Sequence, residues 1–230
     1  MKRRDLTAVL CRDEWFAALT PALQDAILQH GRVRRYRDRP IYLAGDPPND
    51  LFALIWGQIH VTRISAAGRA ALLMVANPGT WFGESSMIDG MRRFSTARAV
   101  GEAAVLQITP STFRTIVQND PSRFASFAQI VFRRYRRAIE HIVDFSSLPL
   151  PVRLAQRLLE VGTGGNGGRR VVKLSQQELA DALGTSRQSV NKALKALERD
   201  GLIEIGYASV RLRVPAELRK LADTPIRLDW

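Results

Sequence analysis

Six polar side chains between Arg187 and Lys195 are spaced to face one way from a helix: Arg187, Gln188, Ser189, Asn191, Lys192 and Lys195. Arginine pairs bidentately with guanine and a glutamine amide with adenine, so this face can read base edges in a major groove. A second cluster lies upstream in "FGESSMIDGMRRFSTARA", residues 82–99, where Gly83, Glu84, Ser85 and Ser86 precede Arg92, Arg93, Ser95 and Thr96. A carboxylate, hydroxyls and guanidinium groups at that density raise the question of a phosphorylated ligand. Neither cluster contains a nucleophile–base pair, a metal motif or a P-loop, so no catalytic residue is assigned and no enzyme is expected. The single cysteine, Cys11, excludes a self-contained Cys-rich zinc or iron–sulfur site, and His30, His60 and His141 are scattered. No metal or cofactor is expected.

The basic face must stand on a helix, and "LSQQELADALGTSRQSVNKALKALERDGLI" supplies two, with a tight turn between them. Ser175 and Glu178 have the spacing of a capping box. Leu179, Ala180 and Leu183 make an apolar face, Gly184 permits a positive φ, and Ser186 can cap the second helix. Val190, Ala193, Leu194 and Leu197 then point inward, opposite the basic face. An ordinary pair of amphipathic helices would rarely combine these features, so a helix-turn-helix is expected. "DGLIEIGYASVRLRV" follows as a hairpin, which makes the module winged and offers Arg211 or Arg213 to phosphates.

Further upstream the texture changes twice. Residues 7–39 read as short helical pieces. From Pro40 to Ile108, strand-like runs alternate with turn residues, as in an antiparallel sandwich or jelly roll. From Asp120 onward Phe124, Ala128, Val131, Tyr135, Ala138, Ile142 and Phe145 recur at alternating steps of four and three, the a/d seam of a coiled coil. A seam of roughly three heptads can bury against an identical helix in a symmetric dimer, or against its own domain. "SSLPLP" ends that helix, because proline removes a backbone donor and restricts the residue before it. Residues 1–119, 120–147 and 148–230 therefore read as a sensor-like domain, a dimerisation helix and a DNA-binding domain. "GTGGNGG", beyond a further helix, reads as a flexible loop. A net charge of +12 favours polyanionic partners. No apolar run is long enough to span a bilayer and the start makes a poor signal peptide, so the cytoplasm is expected.

This order of parts resembles the cyclic-AMP receptor protein and fumarate–nitrate regulator (Crp/Fnr) family, over nearly the whole chain. "GTSRQSVNKALKALERDGLI", "GDPPNDLFALIWGQI" and "GTWFGE" carry the resemblance most strongly. It implies an α+β architecture: an N-terminal β jelly roll, a long dimerisation helix and a C-terminal winged helix-turn-helix. It also implies double-stranded DNA, a second copy and RNA polymerase as partners. By the same resemblance Arg187 reads a guanine, Gln188 contacts neighbouring bases, and Lys192 meets a base or phosphate. Ser175, Gln177, Ser186 and Ser189 hold the backbone. The family usually has glutamate at the position of Gln188. An amide donates as well as accepts, so a different base preference is expected there. Lys195 completes the basic face.

In cyclic-nucleotide-binding members, residues 82–99 correspond to the phosphate cassette. Gly83 and Glu84 match it, but Phe94-Ser95 stands where an Arg-Ser pair is expected. A one-residue offset on a strand sends a side chain to the other face, so neither Arg92 nor Arg93 is assigned to the phosphate. Ala138-Ile139 stands where hydroxyl residues would meet adenine. The expectation is a pocket that keeps its fold but does not answer to cyclic AMP, with the effector unassigned. A cyclic-nucleotide-responsive regulator and a ligand- or partner-binding module without specific DNA binding are the alternatives.

Overall fold

The computed structural model describes residues 3–65, 68, 70–164 and 170–223. It divides into two compact units, Met1–Arg137 and Ala138–Trp230. The first begins with three short helices: α1 (Arg3–Leu10), α2 (Glu14–Ala17) and α3 (Pro21–His30). Thr20 caps α3 by accepting from the Leu23 N–H, and Pro21 occupies the first turn, where no backbone donor is missed.

The strands β1 (Arg32–Arg37), β2 (Pro40–Tyr42), β3 (Leu51–Ile64), β4 (Ala70–Ala76), β5 (Trp81–Phe82) and β6 (Thr96–Ile108) form an antiparallel sheet in the order β1-β6-β3-β4. Strand β2 adds to β6, and β5 to β3. Runs that read as separate strands in the sequence are continuous here. "LFALIWG" and "QIHVTRI" make one bent β3, with shifts of register around Trp56. Gly57 has φ +92°, and a Cβ there would lie 2.4 Å from the Glu102 carbonyl oxygen, so only glycine lets β3 approach β6 this closely.

The bends curl the sheet. One face encloses Tyr42, Phe52, Leu54, Ile59, Val61 and Phe82, with the Phe52 and Phe82 rings stacked at 5.3 Å. The other face is covered by helices, burying Leu10, Phe16, Leu23, Ile27 and Trp81. α4 (Glu84–Asp89) and α5 (Pro110–Asn119) complete the unit together with the first half of α6 (Arg123–Ser147), whose Phe127 and Ile130 enter the same core.

Residues 32–37 correct the helical reading of the N-terminal region. Almost every side chain of β1 is exposed, so no alternation marks it as a strand. It is set by backbone pairing along β6, from Arg32 opposite Gln107 to Arg37 opposite Glu102.

In the second unit, α7 (Leu150–Val161) follows Pro149. Strands β7 (Thr163–Gly164), β8 (Arg170–Val172), β9 (Ile203–Gly206) and β10 (Ser209–Leu212) pair in the order β7-β8-β10-β9. Helices α8 (Gln176–Ala182) and α9 (Arg187–Arg199) lie between β8 and β9 in sequence, and α10 (Pro215–Ala222) follows β10. The loop expected at "GTGGNGG" lies outside the described residues from residue 165 onward. The architecture is the α+β arrangement of jelly roll, long helix and winged helix-turn-helix. Among the described residues no helix is long and apolar enough to cross a membrane.

Candidate nucleic-acid interface and ligand pocket

The capping box is formed at α8: the Ser175 hydroxyl accepts from the Glu178 N–H at 3.2 Å, and the Ser175 N–H donates to the Glu178 carboxylate at 2.8 Å. Gly184 turns the chain with φ +60°. Ser186 then caps α9 through the Ser189 N–H at 3.1 Å. Val190, Ala193, Leu194 and Leu197 are buried, which leaves Arg187, Gln188, Lys192 and Lys195 exposed on the opposite face, with Ser189 half-buried beside them. From Arg187 to Leu197 the helix carries no acidic residue. Gln177 is exposed and donates to Asp181 at 2.9 Å, while the hydroxyls of Ser175 and Ser186 are engaged in the two caps.

The wing turns at Tyr207 and Ala208, the latter at φ +45°, so that the Tyr207 side chain stands fully exposed at the tip. A groove of about 420 Å³ separates the wing from the start of α9, lined by Ser175, Gln177, Arg187, Gly206 and Tyr207 among others. The wing arginines are less available than the sequence suggests. Arg211 donates to both carboxylate oxygens of Glu204 at 3.0 Å, and Arg213 lies 3.9 Å from the same group.

In the other unit the cassette is half helix and half coil. Gly83 and Glu84 are buried at the start of α4 with Ser86, while Ser85 is half-buried. Arg93 precedes β6, so strand alternation does not govern it. Its side chain turns inward and is only 3% exposed, whereas Phe94 is 51% exposed. Of the two arginines that the offset in the cassette leaves unassigned, Arg93 is therefore the one whose side chain turns inward. The guanidinium donates to the Gly83 carbonyl at 2.6 Å and to Asn49 Oδ1 at 2.9 Å, and also bonds the Asp50 carbonyl. It lies 4.2 Å from the centre of the Tyr42 ring. Burial holds its pKa below the ordinary arginine range, and the same burial raises that of Tyr42. Gly83, at φ +85°, leaves the space: a Cβ there would come 3.0 Å from Arg93 Nη1.

Arg92 is exposed and reaches only the Gly45 carbonyl, at 2.7 Å. Ser95 is buried, and the half-buried Thr96 accepts from the Ala44 N–H at 3.0 Å.

Glu84 pairs with a residue the sequence reading left unassigned. Arg134 of α6 places Nε 2.9 Å from Glu84 Oε1 and also donates to the Trp81 carbonyl. The other oxygen, Glu84 Oε2, is buried without a hydrogen-bond partner. Arg134 was recognisable in principle, because it extends the buried steps of Phe127 and Ile130 by four residues. Asn49 and Tyr42 carried no such signal.

On its other side α6 bears an exposed apolar stripe. Phe124, Tyr135 and Ile142, expected in the seam, are 43%, 62% and 64% exposed. Ala138 is exposed too, while Ala128 and Val131 are half-buried toward the domain. Phe132, Ile139 and Val143 widen the stripe and were not read as part of it. Phe145 is 57% exposed at the end of the helix, with the Arg153 guanidinium 4.7 Å from its ring centre.

Two family models match these units: a cyclic nucleotide-binding domain over residues 32–120 and a Crp-like helix-turn-helix domain over residues 152–221. The transcriptional regulator LdrP of Thermus thermophilus is 30% identical over 194 residues, covering 83% of this chain and 96% of the relative. The chain belongs to the Crp/Fnr family. It is a DNA-binding transcription regulator of that type. The CRP-like cAMP-activated global transcriptional regulator of Mycobacterium tuberculosis is 29% identical over 211 residues, covering 90% of this chain and 91% of its own length. A solved transcriptional regulator of the CRP family from Thermus thermophilus superimposes with a TM-score of 0.66 at 29% identity, covering 83% of this chain and 97% of that one.

Proposed function

We propose that this regulator binds a pseudo-palindromic DNA site as a homodimer, in the cytoplasm and without a catalytic step, and that cyclic AMP is not its effector. The acid-free face of α9 carries the DNA reading: Arg187 suits guanine, Gln188 suits adenine, and Lys192 and Lys195 suit the backbone. Ser175, Gln177, Ser186 and Ser189 lie beside the backbone path. The stripe from Phe124 to Val143 supports the dimer, since a lone copy leaves six large apolar side chains wet. A second copy of the helix covers it by two-fold symmetry. RNA polymerase is the partner through which such a regulator acts.

The effector reading rests on Ala138 and Ile139, whose side chains cannot hydrogen-bond a purine, and on a pocket guanidinium already held by protein acceptors. A second reading has its own support. Arg93 and the unpartnered Glu84 oxygen are groups that an anionic, hydroxyl-bearing ligand such as a cyclic nucleotide could engage, and a relative is described as cAMP-activated. Selection of bound duplexes from a random pool, with and without cyclic AMP, tests both. A pseudo-palindrome recovered equally in both arms is expected. Enrichment only with cyclic AMP supports the second reading, and no enriched sequence in either arm removes specific DNA binding.

A further inference from the structure

Phe145 lies near the C-terminal end of α6, and its ring presses on the turn that leads into the recognition helix. A Cβ on Gly184 would lie 2.9 Å from Phe145 Cε2 and 3.4 Å from Cζ, so the ring fills the space that a side chain at residue 184 would need. The opposing partner comes from α7. The Arg153 guanidinium carbon sits 4.7 Å from the ring centre, and Arg153 Nη1 donates to the Leu183 carbonyl at 3.2 Å. Leu183 is the C-cap of α8, where the helix presents partial negative charge that favours a cation. Three elements therefore meet at one turn: the end of α6, the first turn of α7, and the junction of α8 with α9.

The contact has little to do with filling the core. Phe145 is 57% exposed, whereas the helix-turn-helix is held by Leu179, Ala180, Val190 and Leu194, which are all fully buried. What the ring supplies is a stop. At about 1.5 Å per residue, the 13 residues of α9 extend about 20 Å from the turn. A swing of about 10° at Gly184 moves Lys195, about 14 Å along the helix, by about 2.4 Å, most of the rise of about 3.4 Å of one base pair.

We infer that Phe145 and Arg153 are positioning residues that fix the recognition helix to α6, and that they thereby set which half-site spacing the regulator accepts. This rests on the homodimer reading, because spacing has meaning only when two recognition helices share one α6 pair. The arrangement confines the role to spacing. Base contacts stay with α9, and folding of the module stays with its own core.

The test uses the full chain, a single half-site duplex, and two-half-site duplexes at the selected spacing and with one base pair inserted or deleted at the centre. The wild type should prefer its own spacing at least tenfold. Phe145→Ala should bind the single half-site within about twofold of wild type while its spacing preference falls below about threefold. Arg153→Lys keeps a cation near Leu183 but loses the planar stack, and should give the same loss in weaker form. Undiminished discrimination in both variants overturns the inference, and so does an equal loss on the single half-site, which would mark a folding role. Sedimentation of the wild type separates the two readings. A monomer removes the dimer and this inference together, whereas a dimer with no spacing preference removes the inference alone.

Discussion

Replacing Arg93 and, separately, its neighbour Arg92 with alanine tests the placement of the cassette most directly. At Arg93 three acceptors lose their donor: the Gly83 carbonyl, Asn49 Oδ1 and the Asp50 carbonyl. A buried group left unpaired costs about 1–3 kcal/mol. That cost applies fully at buried Gly83, while half-buried Asn49 and Asp50 can recover water. The contact with Tyr42 adds about 1–2 kcal/mol at a desolvated site. Relief of the buried charge works the other way, and it is the same burial that lowers the pKa of Arg93. The net loss is about 2–4 kcal/mol. At ~3 °C per kcal/mol for a unit of this size, the N-terminal unit should melt about 6–12 °C lower. Arg92 offers one bond to Gly45 from an exposed position, so its removal should cost about 0.5 kcal/mol or less. Scanning calorimetry of the two variants decides the matter. Equal shifts, or a larger one for Arg92→Ala, would refute an inward Arg93.

Arg187→Ala should cost about 1–3 kcal/mol per half-site and relax preference at one guanine, read from the selected sequence logo. Lys195→Ala should weaken all sequences alike and reduce the salt slope by about 0.9 per half-site. Tyr135→Asp with Ile142→Asp puts charge into the exposed stripe of α6 and should yield monomers in sedimentation, with weak DNA binding. Arg211→Ala should change DNA affinity less than about twofold, because Glu204 already pairs with that guanidinium in the free protein. Burial raises the Tyr42 pKa, so the neutral form is favoured in the fold. Its stabilising contribution is complete below the ordinary tyrosine range and is lost as pH rises through the folded pKa. Tyr42→Phe should accordingly flatten the alkaline limb of the unfolding curve.

The helix-turn-helix was legible almost to the residue because local rules set every part of it. Ser175 and Glu178 cap one helix, Gly184 takes the positive φ, and the inward spacing from Val190 to Leu197 leaves a single exposed face. The cassette was less legible because its outcome depends on where β6 begins. Alternation predicts a side chain's face only within a strand, and Arg93 stands three residues before Thr96. Free of that constraint, its guanidinium turns toward acceptors on a loop 43 and 44 residues earlier, a pairing that no local pattern announces.

The long helix shows a third case, in which the period was right but the partner was ambiguous. Phe127, Ile130 and Arg134 repeat at helical steps toward the jelly roll, while Phe124, Tyr135 and Ile142 repeat at the same steps toward solvent. One periodicity serves two surfaces, and only burial tells them apart. Val131 and Ala128 lie between them, half-buried, which is why the seam read from the sequence strays toward the domain side. The two surfaces also adjoin along the chain. Arg134 pairs with Glu84, and the next residue, Tyr135, stands at the centre of the exposed stripe. The ion pair to Glu84 and the exposed stripe therefore share one turn of α6.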